Sequence, residues 1–282
     1  MERLTSPICT KVHKMDITEK EFAQLVNYIK TNYGINIKEE KRALLIGRLN
    51  NTLLQAGYNN FTEFYNDLVS KKLNQATLID KITTNHTFFM REKEHFIYYK
   101  DYVLPFLEKT VINKDLRIWC AACSTGEESY TLAILMDEYF GSSKRLWDCK
   151  VLATDISERV LNEAKLGIYP NVRLETIPPI WRMNYFQHLD ENNSVIKDDI
   201  KKEVLYRKFN LMEKNFPFKK KFHVIFCRNV MIYFDNETKI KLIKKFYDFM
   251  EEGGYLFIGH SESIARNESD FKYIMPAVYR KI

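Results

Sequence analysis

Ile118-Trp-Cys-Ala-Ala-Cys-Ser-Thr-Gly-Glu-Glu-Ser129, IWCAACSTGEES, closes an apolar run that reads as a strand and leads into the helical pattern beginning at Glu127. Strand, small-residue loop and helix in that order predict an open α/β sheet, in which ligands sit beyond the carboxyl ends of the strands. The loop lies at such an end.

Working outward, the chain after Leu116 alternates short β-branched and aromatic runs with helical ones. The predicted strands are Leu116 to Cys120, Lys150 to Thr154, Val204 to Lys208, His223 to Cys227 and Tyr255 to Gly259, with helices at Glu127 to Tyr139 and Glu237 to Met250. This alternation implies a parallel sheet covered on both faces. Between Tyr169 and Lys202 the pattern fails: Pro170, Pro178, Pro179 and the polar run DENNSVIKDDIKK are too irregular for one crossover helix. That segment reads as an insertion, and fits a small antiparallel unit and a mobile loop equally.

The chain before the sheet reads as helical. Thr18-Glu-Lys-Glu21 is a capping box, followed at helical spacing by Phe22, Leu25, Val26 and Ile29, with Gly34 as the stop. A second helix is expected from Lys38 to Leu54, with Leu44, Leu45, Leu49 and Leu53 inward and Lys38, Lys41, Arg42 and Arg48 outward, closed by Gly57. Phe61 to Val69 suggests a third.

At 282 residues, 45% hydrophobic and 14% aromatic, the chain can bury a full core and two domains. No stretch approaches the roughly 18 apolar residues of a membrane span, and MERLTSPICTKVHK carries charge where a signal peptide needs an apolar region. A cytoplasmic site is the default. Five thinly spread cysteines, Cys9, Cys120, Cys123, Cys149 and Cys227, do not suggest a disulfide framework. The net charge of +6 favours an acidic partner without singling out nucleic acid.

What the loop binds is narrowed by its composition. A diphosphate usually demands several glycines and an electropositive helix start. Here Gly126 stands alone, and Glu127 and Glu128 occupy the first helical turn, where they would repel a diphosphate and suit hydroxyls, an ammonium or a sulfonium. Asp155 ends the next strand, VLATD, where a carboxylate can accept both hydroxyls of a ribose. A positively charged nucleoside without phosphates describes S-adenosylmethionine; equally, glutamate at a helix start is ordinary dipole pairing. Trp119-Cys-Ala-Ala-Cys123 raises a thioredoxin-type alternative, against which the adjacent carboxylates argue, since they raise thiol pKa values. Small-residue packing is the better reading of both cysteines. No second cysteine pair supports zinc, and no metal site is expected.

Three further stretches are TTNHTFFMRE (Thr83 to Glu92), FNLME (Phe209 to Glu213) and CRNVMIYFD (Cys227 to Asp235). With CSTGEE, the Asp155 strand end and GHSES (Gly259 to Ser263), they resemble the CheR family of S-adenosylmethionine-dependent methyltransferases acting on bacterial chemotaxis receptors. The resemblance runs in order over nearly the whole chain. It implies a small all-α N-terminal domain (15–80), a linker helix region (81–115), and a Rossmann-like class I methyltransferase domain (116–282). The methyltransferase domain carries an inserted antiparallel β-subdomain at about 170–202.

The resemblance also implies roles. Asn85, Thr87 and Arg91 match linker contacts to the cofactor, Glu128 an acidic contact, Asp155 the ribose carboxylate, Asn210 and Leu211 the adenine neighbours, and Arg228 and Asn229 contacts after the fourth strand. Arg91 and Tyr233 match residues beside the transferred methyl, which passes to a glutamate side chain as a γ-glutamyl methyl ester. Implied partners are the cytoplasmic domains of methyl-accepting receptors in arrays at the inner membrane, with a receptor C-terminal peptide a further partner for the insert in some members. The basic face Lys38, Lys41, Arg42 and Arg48 is a candidate docking surface for an acidic receptor bundle.

Two positions depart from the pattern: Met90 follows Phe88-Phe89 where the family often has aromatics directly before the arginine, and Ser129 replaces a common proline. Little effect is expected from either. Two other readings stay open, a catalytically silent cofactor-binding module and a nucleic-acid methyltransferase. Arg91 and Tyr233 argue against the first, and Arg228-Asn-Val-Met231, in place of an Asn/Asp-Pro-Pro-aromatic motif, against the second.

Overall fold

The computed structural model describes residues 15–72 and 75–282, so Cys9 and the polar N-terminal stretch lie outside the described residues. Two compact units are present, one containing 37–82 and the chain up to Ile29, the other Lys30–Asn36 with Thr83–Ile282.

The smaller unit is helical. α1 (Glu19–Tyr33) starts at the capping box: the Glu21 N–H donates to Thr18 Oγ1 at 3.2 Å, and the Thr18 N–H returns a bond to Glu21 Oε2 at 2.9 Å. Helices α2 (Arg42–Gln55), α3 (Phe61–Val69) and α4 (Gln75–Ile82) follow. Phe22, Leu25, Leu45, Leu49, Leu53, Phe64, Leu68 and Leu78 form the buried face. Leu44 departs from expectation: it is 52% exposed, because the stripe of α2 follows 45, 49 and 53 and position 44 falls beside it. α2 also starts later than expected, after a 3-10 turn at Glu39–Lys41.

In the larger unit α5 (Lys93–Tyr98) continues through a π-helical stretch, Tyr99–Val103, into α6 (Leu104–Thr110). The sheet follows with β1 (Ile118–Cys120), α7 (Glu127–Phe140), β2 (Val151–Asp155) and α8 (Glu158–Leu166). The misfit segment comes next and is ordered rather than a mobile loop. It holds β3 (Ile168–Pro170), α9 (Pro179–Tyr185), β4 (Phe186–His188), β5 (Asn193–Ile196) and α10 (Asp198–Lys201), the strands forming a separate antiparallel sheet in the order β3-β5-β4. The chain then completes β6 (Val204–Lys208), β7 (Phe222–Cys227), α11 (Asn236–Asp248), β8 (Met250–Ile258), β9 (Lys272–Met275) and β10 (Val278–Arg280).

The main sheet has the order β6-β2-β1-β7-β8-β10-β9. Its first five strands are parallel, but β10 runs antiparallel to both β8 and β9, which corrects the expectation of a wholly parallel sheet. Alternation along the strands builds two cores. Ile118, Cys120, Val224, Phe226 and Phe257 face one layer, and Trp119, Ile225, Cys227, Leu256 and Ile258 the other. The second layer is dense in aromatics: Phe218 lies 4.8 Å and Phe222 5.3 Å from Trp119, ring centre to ring centre. Strand order reverses at β1, with β2 and β6 on one side and β7 on the other, so the crevice expected for a ligand opens beyond the carboxyl ends of β1, β2 and β7. Among the described residues no helix is long and apolar enough to cross a membrane.

Candidate active site

The loop from β1 to α7 stays tied to both neighbouring strands, with Ala121 N–H donating to the Phe226 carbonyl (2.8 Å) and Cys123 N–H to that of Thr154 (2.9 Å). The turn into the helix requires glycine. Gly126 has φ +96°, and a Cβ there would lie 2.7 Å from Tyr206 Oη and 2.9 Å from Ala164 Cβ. Ser129 suits its place, its hydroxyl bonding the Gly126 carbonyl and Tyr206 Oη, both at 2.9 Å.

Asp155 sits at the end of β2, buried. Its Oδ2 accepts the Ser124 N–H at 2.9 Å and Oδ1 the Ser157 N–H at 3.0 Å, which orients the carboxylate. Ser124 Oγ in turn donates to the Asn85 carbonyl at 3.0 Å, bringing the linker to the loop. Phe209 N–H donates to the Asp155 carbonyl at 2.9 Å, which sets Asn210 and Leu211 beside it. A cleft of about 420 Å³ opens there, lined by Ile156, Phe209, Asn210 and Pro217 among others. The Asn210 side chain is braced, donating to the Asn32 carbonyl at 2.7 Å and accepting Met212 N–H at 3.0 Å, and Leu211 is buried in the core.

The two glutamates that look equivalent in sequence part company. Glu127 is fully buried and turns away, bonding Thr125 Oγ1 (2.7 Å) and Arg173 (3.2 Å), and burial pushes its carboxyl above the ordinary range. This corrects the reading of two carboxylates open to a ligand: only Glu128 turns toward Arg228 at the crevice. Its Oε2 meets Arg228 Nη1 at 2.5 Å and its Oε1 accepts the Cys120 thiol at 3.1 Å.

Arg228 is the keystone. Only 2% of its side chain is exposed, and its guanidinium reaches Glu128, Glu92 (3.1 Å) and the Arg91 carbonyl, with the Phe96 ring 5.1 Å away. Burial raises the Glu92 carboxyl, but Arg228 and the bonds from Asn229 Nδ2 and His260 N–H outweigh it, and the net pKa is below the ordinary value. Arg91 thus enters the site from a backbone pinned by Arg228, and its Nη1 donates to the His86 carbonyl at 2.8 Å. Asn229 holds a left-handed turn (φ +58°), and Glu262 ties that turn to the end of β8 by accepting the N–H groups of Gly259 (2.5 Å), Asn229 (3.0 Å) and Ile232 (3.1 Å). Tyr233 follows directly in a 3-10 turn, Met231–Tyr233. Left-handed Met90, Glu92, Ser124 and Asn229 gather at the loops of this one crevice, the pattern of strain kept for function.

Contacts therefore join Arg91, Glu128, Arg228 and Asn229 in one network, and Asn85, Asp155 and Asn210 in another. Thr87 and Tyr233 are half-buried, each four residues along the chain from a member of the first network, Arg91 and Asn229. Sequence reasoning missed Glu92 and Glu262 as the carboxylates that hold the frame, although both lie within quoted stretches, TTNHTFFMRE and GHSES. In the helical unit Lys38 and Lys41 are exposed as expected, but Arg42 is a brace, bonded to Glu19, Glu39 (2.9 Å) and the Ile17 carbonyl (2.8 Å), and Arg48 reaches the Lys81 carbonyl at 3.3 Å. The redox alternative falls: burial first, then neighbouring carboxylates, pushes the Cys120 and Cys123 thiols well above their ordinary range.

These features fit S-adenosylmethionine: a single glycine, a ribose-type carboxylate at Asp155, an adenine-sized cleft beside it, and Glu128 at the helix start instead of a phosphate cradle. Comparison with known proteins agrees. Residues 20–83 match the family model described as CheR methyltransferase, all-alpha domain, and residues 85–279 match CheR methyltransferase, SAM binding domain. The chain is 43% identical over 272 residues to the chemotaxis protein methyltransferase of Borreliella burgdorferi, covering 95% of this chain and 96% of that one. It is 30% identical to that of Escherichia coli, covering 98% and 95%. The chain belongs to the CheR methyltransferase family and its larger unit is an S-adenosylmethionine-binding methyltransferase domain.

Proposed function

We propose that this protein methylates glutamate side chains in the cytoplasmic domains of chemotaxis receptors, forming γ-glutamyl methyl esters for sensory adaptation. The observation that carries the reading is the Arg91–Arg228–Glu128 network beside Asp155, in a chain collinear with chemotaxis protein methyltransferases.

When bound, S-adenosylmethionine supplies an electrophilic methyl group on a sulfonium. Asp155 takes the ribose hydroxyls, Asn210 and Leu211 flank the adenine, and Asn85, Thr87, Glu128, Arg228 and Asn229 complete the cofactor's surroundings. A glutamate carboxylate, with a pKa of about 4.3, is already ionised at neutral pH, so no general base is needed. What remains is alignment. Arg91 presents its planar donor fork to the incoming carboxylate and Tyr233 donates a hydrogen bond that fixes the angle of attack. Pinning of the Arg91 backbone by Arg228 is what makes that fork a positioner rather than a mobile surface charge.

Receptor docking draws on Lys38, Lys41 and the partly committed Arg42 and Arg48, which suit an acidic helical bundle. The insert offers a second contact: β4 is an edge strand, and Ile180 and Met183 of the preceding α9 and Leu189 just after β4 are exposed, a surface that suits an extended receptor C-terminal segment. An array-associated cytoplasmic location follows from this reading.

The test is transfer of labelled methyl from S-adenosylmethionine to receptor-containing membranes, followed by mild alkali. Label released as methanol establishes a carboxyl methyl ester. Cofactor binding without transfer would favour a silent binding module instead. In the same assay Arg91→Ala should slow transfer by about a hundredfold, and a near wild-type kcat would refute its role. Added salt should weaken docking.

A further inference from the structure

Beside Arg228 three potential metal ligands converge from two segments of the chain. Glu92 precedes α5, His95 lies in its first turn, and His260 follows β8. One ligand atom from each lies within 4.8 Å of the others. We propose that Glu92, His95 and His260 form a binding site for a divalent transition-metal ion of the zinc class, with water completing the coordination.

A second observation points to a ligand. The His95 side chain is completely buried, yet neither ring nitrogen completes a hydrogen bond. A buried imidazole nitrogen left without a partner is costly. Its Nδ1 faces Glu92 Oε2 at 3.6 Å, too long for a hydrogen bond but within the span a shared ion would close. The Pro276 carbonyl is the one backbone acceptor toward the ring, short of full hydrogen-bond geometry, and such an acceptor commonly orients one nitrogen of a ligating histidine while the other is left for the ion.

The chemistry suits the same class of ion. Two imidazoles and one carboxylate are borderline donors that favour zinc and its neighbours over magnesium or calcium. Glu92 and Glu128 against Arg228 leave the cluster one negative charge in excess, which compensates a cation despite the neighbouring guanidinium. A tetrahedral zinc site needs ligand atoms about 3.3 Å apart, given zinc–nitrogen bonds of about 2.0 Å. His260 is exposed and supplies the movement, while His95 and Glu92 stay fixed by packing and by Arg228.

The test uses the full chain without an affinity tag, stripped by chelator and titrated with Co²⁺ and then Zn²⁺. The expected result is one ion per chain, an intense Co²⁺ absorption of tetrahedral type, displacement by Zn²⁺, and affinity lower by about tenfold or more in His260→Ala. His260 is exposed and its backbone N–H bond to Glu92 survives the substitution, so the variant should fold; tryptophan fluorescence checks this. His188→Ala, on the separate small sheet, should bind as the parent does. Equal affinity in parent and His260→Ala, or only the weak absorption of octahedral Co²⁺, would overturn the site. Either result leaves methyl transfer to be judged by its own assay.

Discussion

Arg228→Met removes the cation that bridges Glu92 and Glu128 while keeping most of the apolar volume. The three side chains are 2%, 14% and 12% exposed, so solvent offers the stranded carboxylates little relief. Removing one partner of a buried pair costs about 3–5 kcal/mol. At about 2–4 °C per kcal/mol for a unit of this size, the midpoint of unfolding should fall by about 6–20 °C. The effect carries a pH signature. In the parent, Glu92 is held below its ordinary pKa, so its contribution is present at neutral pH and lost only on acidification through that depressed value. In the variant only the Asn229 and His260 bonds still oppose burial, the carboxyl rises, and protonation at mildly acidic pH relieves the stranded charge. The stability gap should therefore be widest near neutrality and narrow toward about pH 5. All three tryptophans, Trp119, Trp147 and Trp181, lie in the larger unit, so fluorescence in urea reports that unit alone. Arg228→Lys, which keeps charge but not the fork, should fall between. A Met variant within about 1 kcal/mol of the parent, or a gap that does not change with pH, would refute the keystone role.

Two further outcomes are expected. Gly126→Ala must adopt φ +96° and place a methyl 2.7 Å from Tyr206 Oη, which should cost about 2–5 kcal/mol from backbone strain and overpacking; unchanged stability and cofactor affinity would show that the turn is not required. His223 accepts the Arg117 N–H at Nδ1 (3.0 Å), and burial, then Arg117's charge, pushes its pKa from 6.5 down to about 4. The unfolded chain then binds the extra proton between those values, so stability present above pH 6.5 is lost on acidification toward 4, by at most about 3 kcal/mol from this residue. His223→Gln should flatten that part of the urea-midpoint profile, and an unaltered slope would assign the loss to other groups.

Much of the fold was legible because it rests on local periodicity. Short β-branched and aromatic runs in IWC, VLATD and HVIFC placed three central strands within a residue or two, and the Thr18–Glu21 capping box marked a helix start through bonds made within four residues. The terminal strands β9 and β10 escaped notice because they are short and bounded by turns, and only pairing with β8 makes them strands. Leu44 was misplaced because a leucine one position off the stripe carries no mark in the sequence of the face it occupies.

By itself the sequence determined the alternation of strands and helices, the single-glycine loop at the end of the first strand, a carboxylate at the end of the second, and the family. Those features depend on residue type and near spacing. Only the tertiary structure decided that Glu127 is buried against Thr125 and Arg173 while Glu128 faces Arg228, that Arg42 braces its own unit, and that Glu92 holds Arg228, Asn229 and His260 together. The physical reason is that burial and pairing depend on which segments the sheet order brings side by side. Arg228 meets Glu92 and Glu128 because β7 pairs with β1, and no local pattern encodes that neighbour.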